Sequence, residues 1–347
     1  MSQCASAAAA RTPLLTEAQD LIEEAVRKLW NDELVAFPTE TVYGIGAHAA
    51  RPAAVSKIFS VKGRPADHPL IVHIPGAKWL NQWASNIPDA AWALAEACWP
   101  GALTLILEKQ QWVPDNVTGG QKTVGLRVPN HPLALELLHA FAEFGRPGRG
   151  GIAAPSANRF GHISPTTAAH VWEDLGEHVS LILDGGACSV GIESTIVDLS
   201  RETPSILRPG AISTEQIAEI LGTTPRLGYR THEHDAPRVS GTHSTHYAPR
   251  APATLMRLPE LLAWLEAHPE EHCAVLAYTL PTILNPSHIW RMMPYIPDAY
   301  ARELYNALRH LDHRCPSRIL IEAPPETSDW AAVNNRLVRA ATQRATS

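Results

Sequence analysis

Lysine is scarce in this chain. Six of its 347 residues are lysines and none follows Lys122, while Asp and Glu outnumber Lys and Arg by 35 to 29, a net charge of −6. A protein held on nucleic acid by its overall field needs clustered basic residues. The sequence therefore argues against stable binding of tRNA or other nucleic acids, and it makes a lysine inside a site loop unusual.

Cysteine is also sparse, with five widely scattered residues and no C-x-x-C pair. This odd number and spacing predict neither a disulfide framework nor a thiolate zinc site. The first residues, MSQCASAAAARTPLL, lack the basic and apolar regions of a signal peptide, and no later apolar run is long enough to cross a bilayer. We expect a cytoplasmic protein that is not associated with a membrane.

Three common catalytic signatures are missing as well. There is no G-x-x-x-x-G-K-[ST] loop and no G-x-S-x-G elbow. The single match to G-x-G-x-x-A, Gly148–Ala153, follows no predicted strand and precedes Pro155, so it cannot open the required helix. Any ATP site must therefore be built from other loops.

Strand-like and helical segments alternate along the chain as far as Gly222, which predicts an α/β domain with a twisted mixed sheet. Thr16–Asp32 has helical apolar spacing behind a Thr16/Gln19 capping box, Ser164 and Pro165 begin a helix that Gly176 ends, and Ser213 with Gln216 begins one that Gly222 ends. The predicted strands are 34–37, 70–74, 103–107, 123–128, 151–154, 180–183 and 194–199.

The remainder of the chain divides into a linker and a second domain. Residues 223–250 are rich in Pro, Gly and His and lack periodicity, and they are longer than most connections within a domain. From residue 251 strands and helices alternate again, as in a small Rossmann-like module. We predict a disordered tail at 1–15, a first domain at 16–222, a linker or lid at 223–250 and a C-terminal domain at 251–347.

Two loops of the first domain favour ligand binding. FPTETVYGIGAHA (37–49) leaves a strand into hydroxyl-bearing residues and two glycines, which permits close approach of a small ligand, although a hydrogen-bonded turn has the same composition. KIFSVKGRPADHPLIVHI (57–74) places Lys62 and Arg64 beside Gly63 and Pro65, a rigid basic loop suited to a polyphosphate. Taken alone, Lys-Gly-Arg is more often a solvated surface turn, because exposed basic residues are the norm.

With these two loops in this order, the chain resembles the YrdC/Sua5 family of threonylcarbamoyl-adenylate synthases. The resemblance continues through WPGALTLIL (99–107), TVGLRVPNHP (123–132), APSANRFGHISPT (154–166), GIESTIVD (191–198) and ILRPGAIS (206–213). SGTHSTHYAPRAP (240–252) resembles the interdomain linker of the longer, two-domain Sua5 type. The fold implied is a YrdC-like twisted mixed sheet followed by a small Rossmann-like domain.

The family's pattern implies two groups of binding residues. Lys62 and Arg64 are the predicted catalytic cations. The residues implied to hold ATP are Lys62, Arg64, His68, Thr123, Ser156, Asn158, Ser164, Arg208 and Tyr247. Those implied to surround threonine are Thr41, His73, Arg127, Ala154 and Ser194. His68 stands where the family pattern has asparagine. Arg127, whose planar fork suits a carboxylate, and Arg208, which leaves a tight corner before Pro209, could equally be surface arginines.

Four histidines of the linker, His232, His234, His243 and His246, could be metal ligands, but structural zinc sites rarely consist of four histidines in a flexible segment. We instead expect Tyr247 to lay the linker over the nucleotide as a lid that excludes water.

The resemblance implies that threonine and bicarbonate form N-carboxy-threonine, whose carboxylate attacks the α-phosphorus of ATP and expels pyrophosphate. Mg²⁺ would be held mainly by the ATP phosphates rather than by protein ligands. The product would pass to a tRNA threonylcarbamoyl transferase complex for modification of the adenosine beside the anticodon. Two alternatives remain open: a double-stranded-RNA-binding module, and a carbamoyl-transfer domain like that of hydrogenase maturation proteins.

Overall fold

The computed structural model describes residues 13–144, 149–231, 236–241, 246–281 and 287–342, and the side chains of the first helix from residue 19 onwards. Within these ranges the first domain contains helices α1 Pro13–Trp30, α2 Pro52–Lys62, α3 Leu80–Trp83, α4 Asp89–Cys98, α5 Asp115–Thr118, α6 Pro132–Phe144, α7 Ala168–Leu175, α8 Thr214–Leu221 and α9 Gly228–Thr231. None of the described helices combines the length and hydropathy that a membrane-spanning helix needs.

One mixed sheet organises the first domain. Its strands within the described ranges are β1 Val35–Phe37, β2 Gly44–His48, β3 Ile71–His73, β4 Leu103–Glu108, β5 Thr123–Arg127, β6 Ile152–Ala153, β7 Leu181–Ile182, β8 Thr195–Asp198 and β9 Ser205–Arg208. Their order is β7-β1-β2-β6-β3-β5-β4-β8-β9, with parallel pairs β7/β1, β3/β5 and β4/β8. Apolar residues on both faces of the sheet are buried beneath helices, which confirms the predicted α/β class.

The second domain holds a smaller sheet. Its described elements are β10 Ala253–Met256, α10 Leu258–Ala267, β11 Cys273–Ala277, β12 Ile289–Met292, α11 Pro297–Asp312, β13 Arg318–Glu322 and α12 Ala331–Ala341. The strand order is β10-β13-β11-β12, and every pair is parallel. This is the Rossmann-like arrangement that the sequence predicts.

The pairing register of the central strands sets which predicted site residues lie next to one another. Parallel pairing of β3 with β5 sets His73 opposite Arg127, and antiparallel pairing with β6 sets His73 opposite Ile152. The chain then leaves β6 at Ala154, whose backbone N–H donates to Ile71 O. His73 and Arg127 therefore lie side by side at the ends of β3 and β5, while Ala154 lies beside Ile71, two residues earlier on β3.

Predictions of local structure need correction at the first helix and at the helix predicted from Ser164. The first helix begins at Pro13, so Thr16 lies inside it rather than at its cap, and residues 13–15 form its first turn. Proline suits that position because its missing N–H has no helical partner there. The helix predicted from Ser164 begins after Thr167, whose side chain accepts from His170 N. The Ser213/Gln216 capping box and its Gly222 end are confirmed.

The glycines of GIGAH, expected to lie in a loop, are part of strand β2. A Cβ on Gly46 would lie 2.7 Å from Ile152 Cγ2 and 2.9 Å from Phe37 Cε1. Gly46 is therefore required by close packing within the sheet. Gly44, two residues earlier, does line the cavity described below.

Candidate active site

The TETV turn is built by its own hydroxyl groups. Thr39 Oγ1 donates to Val42 O over 2.7 Å and lies 2.8 Å from Thr41 Oγ1. The Tyr43 hydroxyl donates to Gly186 O over 2.8 Å and ties the segment to the loop after β7. The hydrogen-bonded turn that the sequence allowed is therefore present, and Thr39 and Thr41 also line a cavity.

One end of this cavity is suited to a carboxylate. It is lined by Thr41, His73, Arg127 and Ala154. Burial and the charge of Arg127 lower the pKa of His73 to about 3, so its imidazole is neutral at neutral pH. Arg127 donates through Nε to Gly101 O over 3.3 Å and contacts Glu40 Oε1 through Nη2 at 2.7 Å. A guanidinium beside a neutral imidazole can bind an amino acid's carboxylate.

Two other buried arginines line the same cavity and are joined to each other through Ser240. Arg64 Nη2 donates to Pro69 O over 2.9 Å and to Ser240 Oγ over 3.0 Å. Arg208 donates to Ser194 O over 3.0 Å, to Ser194 Oγ over 3.1 Å and to Ser240 O over 2.9 Å. Burial lowers the pKa of Arg64 to about 10 and lowers that of Arg208, and both remain cationic at neutral pH. The pair forms an anion-binding end.

Lys62 lies beneath this end and does not line the cavity. Its Nζ donates to Ser156 O over 2.6 Å and also to Asn158 O. Burial, with the nearby charge of Arg64, lowers its pKa well below the usual value. In this structure Lys62 holds the loop that presents Ser156, rather than presenting its own amine to the cavity.

Part of the linker forms a wall of the cavity. Its described residues include Ser240, Gly241, His246 and Tyr247, and all four line it. The cavity volume is about 50 Å³, and a cavity needs roughly 10–15 Å³ on the same scale to hold one water molecule. The space in this structure therefore holds a few water molecules and is too small for ATP.

The backbone of Tyr247, which lines the cavity, is strained, with φ of 61°. A non-glycine residue in that region costs of order 1–3 kcal/mol, and it persists only where its surroundings compensate. The ring lies 4.1 Å from that of His246 and 5.6 Å from that of Tyr305. Its buried hydroxyl has no hydrogen-bond partner among the described residues. A ligand in the cavity could supply one.

Side chains of the second domain contact Glu193, a carboxylate of the first domain that lines the cavity. Glu193, which lines it, accepts from Tyr305 over 2.9 Å and from Arg336 Nε over 2.9 Å, and Ser164 Oγ donates to its other oxygen over 2.6 Å. Burial alone would raise the pKa of Glu193, but the charges of Arg336 and Arg208 and these hydrogen bonds lower it to about 2. A charged, fully paired network therefore joins the two domains.

Some of the predicted site residues line the cavity, and the others lie beside or behind it. Thr41, Arg64, His73, Arg127, Ala154, Ser156, Arg208 and Tyr247 line the cavity. The others stand beside or behind it: Ser194 contacts Arg208, Ser164 contacts Glu193, Asn158 bonds to Arg159 O and His162 O, and Thr123 lines an adjoining small pocket with Ser240. His68 packs 5.3 Å from the Phe160 ring.

Several residues at the site escaped prediction. Glu193 stands inside the recognised GIEST segment, so its position was a usable signal. Ser240 was likewise inside the quoted linker motif. Arg336 lies on α12, 143 residues from Glu193, and nothing in its local sequence marks it. Of the four linker histidines, His246 is buried beside Phe160, and the other three lie outside the described residues.

The residues of the cavity do not form a metal cage. Glu193, the carboxylate that lines the cavity, is engaged by Arg336, and Glu40, which lies behind Arg127, is engaged by that arginine. Across the described part of the chain, no group of three or more His, Cys, Asp or Glu is placed to hold a metal ion. Protein ligands for Mg²⁺ therefore do not fit here, and Mg²⁺ carried by substrate phosphates remains a prediction.

Two family models cover most of the chain. Residues 27–210 match the Sua5/YciO/YrdC model, described as telomere recombination, and residues 212–342 match the C-terminal domain of threonylcarbamoyl-AMP synthase. The models meet within ILRPGAIS, before α8, whereas the predicted domain boundary follows α8 at Gly222.

Full-length relatives agree with the family models. The threonylcarbamoyl-AMP synthase of Bacillus subtilis is 39% identical over 334 residues, 92% of each chain, and that of Pyrococcus abyssi is 39% identical over 327 residues, 90% of this chain and 91% of its own. The crystal structure of P. abyssi Sua5 complexed with L-threonine superposes with a TM-score of 0.83 at 38% identity, covering 92% of this chain and 94% of that one. Because the first model spans more than half of the sequence and these relatives span nine-tenths of it, the chain belongs to the YrdC/Sua5 family.

Proposed function

We propose that this protein condenses L-threonine, bicarbonate and ATP to threonylcarbamoyl-AMP and pyrophosphate. The observation that carries the proposal is that one cavity is lined by two separate groups of arginine: Arg64 with Arg208, which both donate to Ser240, and Arg127 beside neutral His73. The first suits a triphosphate and the second an amino-acid carboxylate. Relatives of the same length bear this activity in their names, and one of them has been crystallised with L-threonine.

The reaction needs alignment more than proton transfer. The threonine nitrogen, once its ammonium form has released a proton to solvent, forms a bond to the carbon of bicarbonate, water leaves, and the resulting carbamate is an anion. One carbamate oxygen then attacks the α-phosphorus of ATP, the bond to the β-phosphate breaks, and pyrophosphate leaves with its electrons. Three anionic groups must approach one another, so the arginines serve to reduce repulsion and to stabilise charge on the leaving group.

Each predicted residue has a place in this scheme. Arg64 and Arg208 would hold the triphosphate, aided by Thr123, Ser156, Asn158, Ser164 and Tyr247, with His68 as a further contact. Lys62 would reach it directly or through the loop that it supports. Thr41, His73, Arg127, Ala154 and Ser194 would surround threonine. Bound Mg²⁺ would supply charge neutralisation on the phosphates, and no step above depends on a protein ligand for it.

The defining experiment measures pyrophosphate release by the purified chain. We expect release only when ATP, L-threonine and bicarbonate are all present, with threonylcarbamoyl-AMP identified by mass spectrometry. A double-stranded-RNA-binding module would release none. A carbamoyl-transfer domain would require carbamoyl phosphate in place of threonine and bicarbonate. No release from well-folded protein under these conditions would exclude the proposed synthase.

The linker would act as an exchangeable cover. Ser240 takes hydrogen bonds from both Arg64 and Arg208, the same cations that a triphosphate needs. Binding of ATP must therefore replace these bonds, and reclosure over the nucleotide would then exclude water from the carbamate and the mixed anhydride, both of which hydrolyse. The Tyr247 hydroxyl is buried and has no hydrogen-bond partner among the described residues, so Tyr247 is the residue best placed to complete the closure.

Tyr247→Ala should therefore release more hydrolysis product. We expect the ratio of AMP to intact threonylcarbamoyl-AMP, measured by chromatography after a fixed amount of pyrophosphate release, to rise about tenfold, because the lid no longer excludes water. Tyr295→Ala, at a tyrosine of the second domain that is 61% exposed, is the matched control and should leave the ratio unchanged. Equal ratios in both variants would remove the lid function.

The cellular setting is part of the same proposal. The product would serve threonylcarbamoyl modification of tRNA through a downstream transferase complex in the cytoplasm. The net charge of −6 favours transfer of the small adenylate over stable capture of tRNA by this chain.

A further inference from the structure

Glu40 is a buried carboxylate that the proposed mechanism leaves unused. It is 5% exposed and belongs to the TETV turn, next to Thr41. Its Oε1 lies 2.7 Å from Arg127 Nη2, where both side chains are almost fully buried. The contact lacks hydrogen-bond alignment, so neither carboxylate oxygen of Glu40 has an aligned donor among the described residues. The pair is thus electrostatic and leaves both oxygens able to accept.

The groups around this pair contribute little other charge. His73, at the same end of the cavity, is neutral because burial and Arg127 lower its pKa to about 3. Cys188 is a protonated thiol, since burial and the charge of Glu40 raise its pKa to about 12. Thr39 and Thr41 bond to each other. The Glu40–Arg127 ion pair leaves this end of the cavity with little net charge, whereas without the Glu40 carboxylate the end would carry the full positive charge of Arg127.

That balance decides which ligands are favourable. A buried lone arginine attracts any anion, including bicarbonate, a hydroxy acid or a misplaced phosphate of ATP. A neutral pair gains little from a simple anion, because attraction to Arg127 is offset by repulsion from Glu40. A zwitterion satisfies both members, with its carboxylate toward the guanidinium and its ammonium toward the carboxylate. The same reasoning disfavours a simple cation.

Building on the proposed function, we propose that Glu40 is a specificity-determining residue that makes the threonine end of the cavity select a zwitterionic amino acid over anions of the same shape. Glu40 acts from behind Arg127, by balancing the charge of the guanidinium that lines the cavity. The subsite then rejects carboxylates that lack the amine, even though Arg127 alone would bind them.

The test compares L-threonine with its analogue lacking the amino group, 3-hydroxybutyrate, by calorimetric titration of the full chain. For the native protein we expect 3-hydroxybutyrate to bind at least about tenfold more weakly than threonine. In Glu40→Gln, which keeps shape and removes charge, the threonine Kd should rise about tenfold while the Kd of 3-hydroxybutyrate stays or falls. The selectivity ratio should thus drop by at least about tenfold.

Other outcomes have distinct meanings. Parallel weakening of both ligands in Glu40→Gln would show that Glu40 only orients Arg127, and an unchanged ratio would also overturn the inference. Because both ligands are titrated into one preparation, the ratio does not depend on the fraction of folded protein. If the variant fails to fold, the native measurement alone decides: equal affinities for the two ligands would overturn the inference. Threonine binding without pyrophosphate release would instead contradict the proposed function.

Discussion

Arg127→Ala is expected to lower kcat/KM for threonine by roughly 100-fold or more, with a far smaller change in the KM for ATP. The guanidinium lines the cavity beside His73 and Glu40, whereas Arg64 and Arg208 are grouped around Ser240. Charge-assisted hydrogen bonds to a carboxylate are each worth about 1.5–3 kcal/mol, and about 1.4 kcal/mol corresponds to tenfold. Pyrophosphate release with one substrate varied at a time separates the two parameters.

The loss of Arg127 also leaves Glu40 as a buried, unpaired carboxylate, so a second variant guards against misfolding. Arg127→Lys keeps the charge but loses the planar fork, and it should raise the threonine KM while retaining most of the native thermal stability. Arg149→Ala, at an exposed arginine over Trp112, is the matched control and should leave both KM values unchanged. Equal increases in the threonine and ATP KM values would move Arg127 out of the threonine end.

Local sequence pattern predicted much of this architecture because the strands are short apolar runs between clear turn residues. Every strand predicted in the first domain is present, within a few residues of its predicted ends. Strand β2 was not predicted because its GIGAH sequence lacks large apolar side chains. Gly46 is required there because Phe37 and Ile152 occupy the space that a Cβ would need. Ile152 is about 100 positions away in the sequence, so no local window contains this packing.

The site was predicted in the same uneven way. Motifs located the residues that line the cavity, including His73 and Arg127, whose encounter follows from parallel pairing of two recognisable strands. Lys62 illustrates the limit, because its basic loop suggested a phosphate ligand whereas its amine donates to two backbone carbonyls. Whether a side chain faces a ligand or supports a loop depends on tertiary geometry.

Arg336→Met is expected to produce the largest loss of stability. Arg336 is fully buried and binds the Glu193 carboxylate at 2.9 Å, the Glu193 carbonyl at 3.0 Å and Pro209 O at 2.8 Å. Removing one partner of a buried ion pair costs about 3–5 kcal/mol, because the other charge is left uncompensated. Thermal or denaturant unfolding at pH 7 measures the effect.

The activity of Arg336→Met should also fall, since its partners Glu193 and Pro209 are adjacent in sequence to Ser194 and Arg208. The matched control is Arg291→Met, which breaks the half-exposed Arg291–Glu303 pair at 3.3 Å and should cost less than about 1 kcal/mol. The double variant Arg336→Met with Glu193→Gln should recover part of the stability, because it leaves no unpaired carboxylate. Equal small losses for Arg336→Met and Arg291→Met would contradict a central role for the interdomain pair.

Lowering the pH should reduce the difference in unfolding free energy between the native protein and Arg336→Met. The folded pKa of Glu193 is about 2, below its ordinary value of 4.5, so its ionised form stabilises the native fold above pH 4.5. This stabilisation is lost as the pH falls from about 4.5 through about 2. In Arg336→Met the same carboxylate lacks its main counter-charge and gains less from being ionised. The unfolding free energies of the two proteins should therefore differ most near pH 7 and converge toward pH 2, and a constant gap across that range would show that the cost arises from packing rather than from charge.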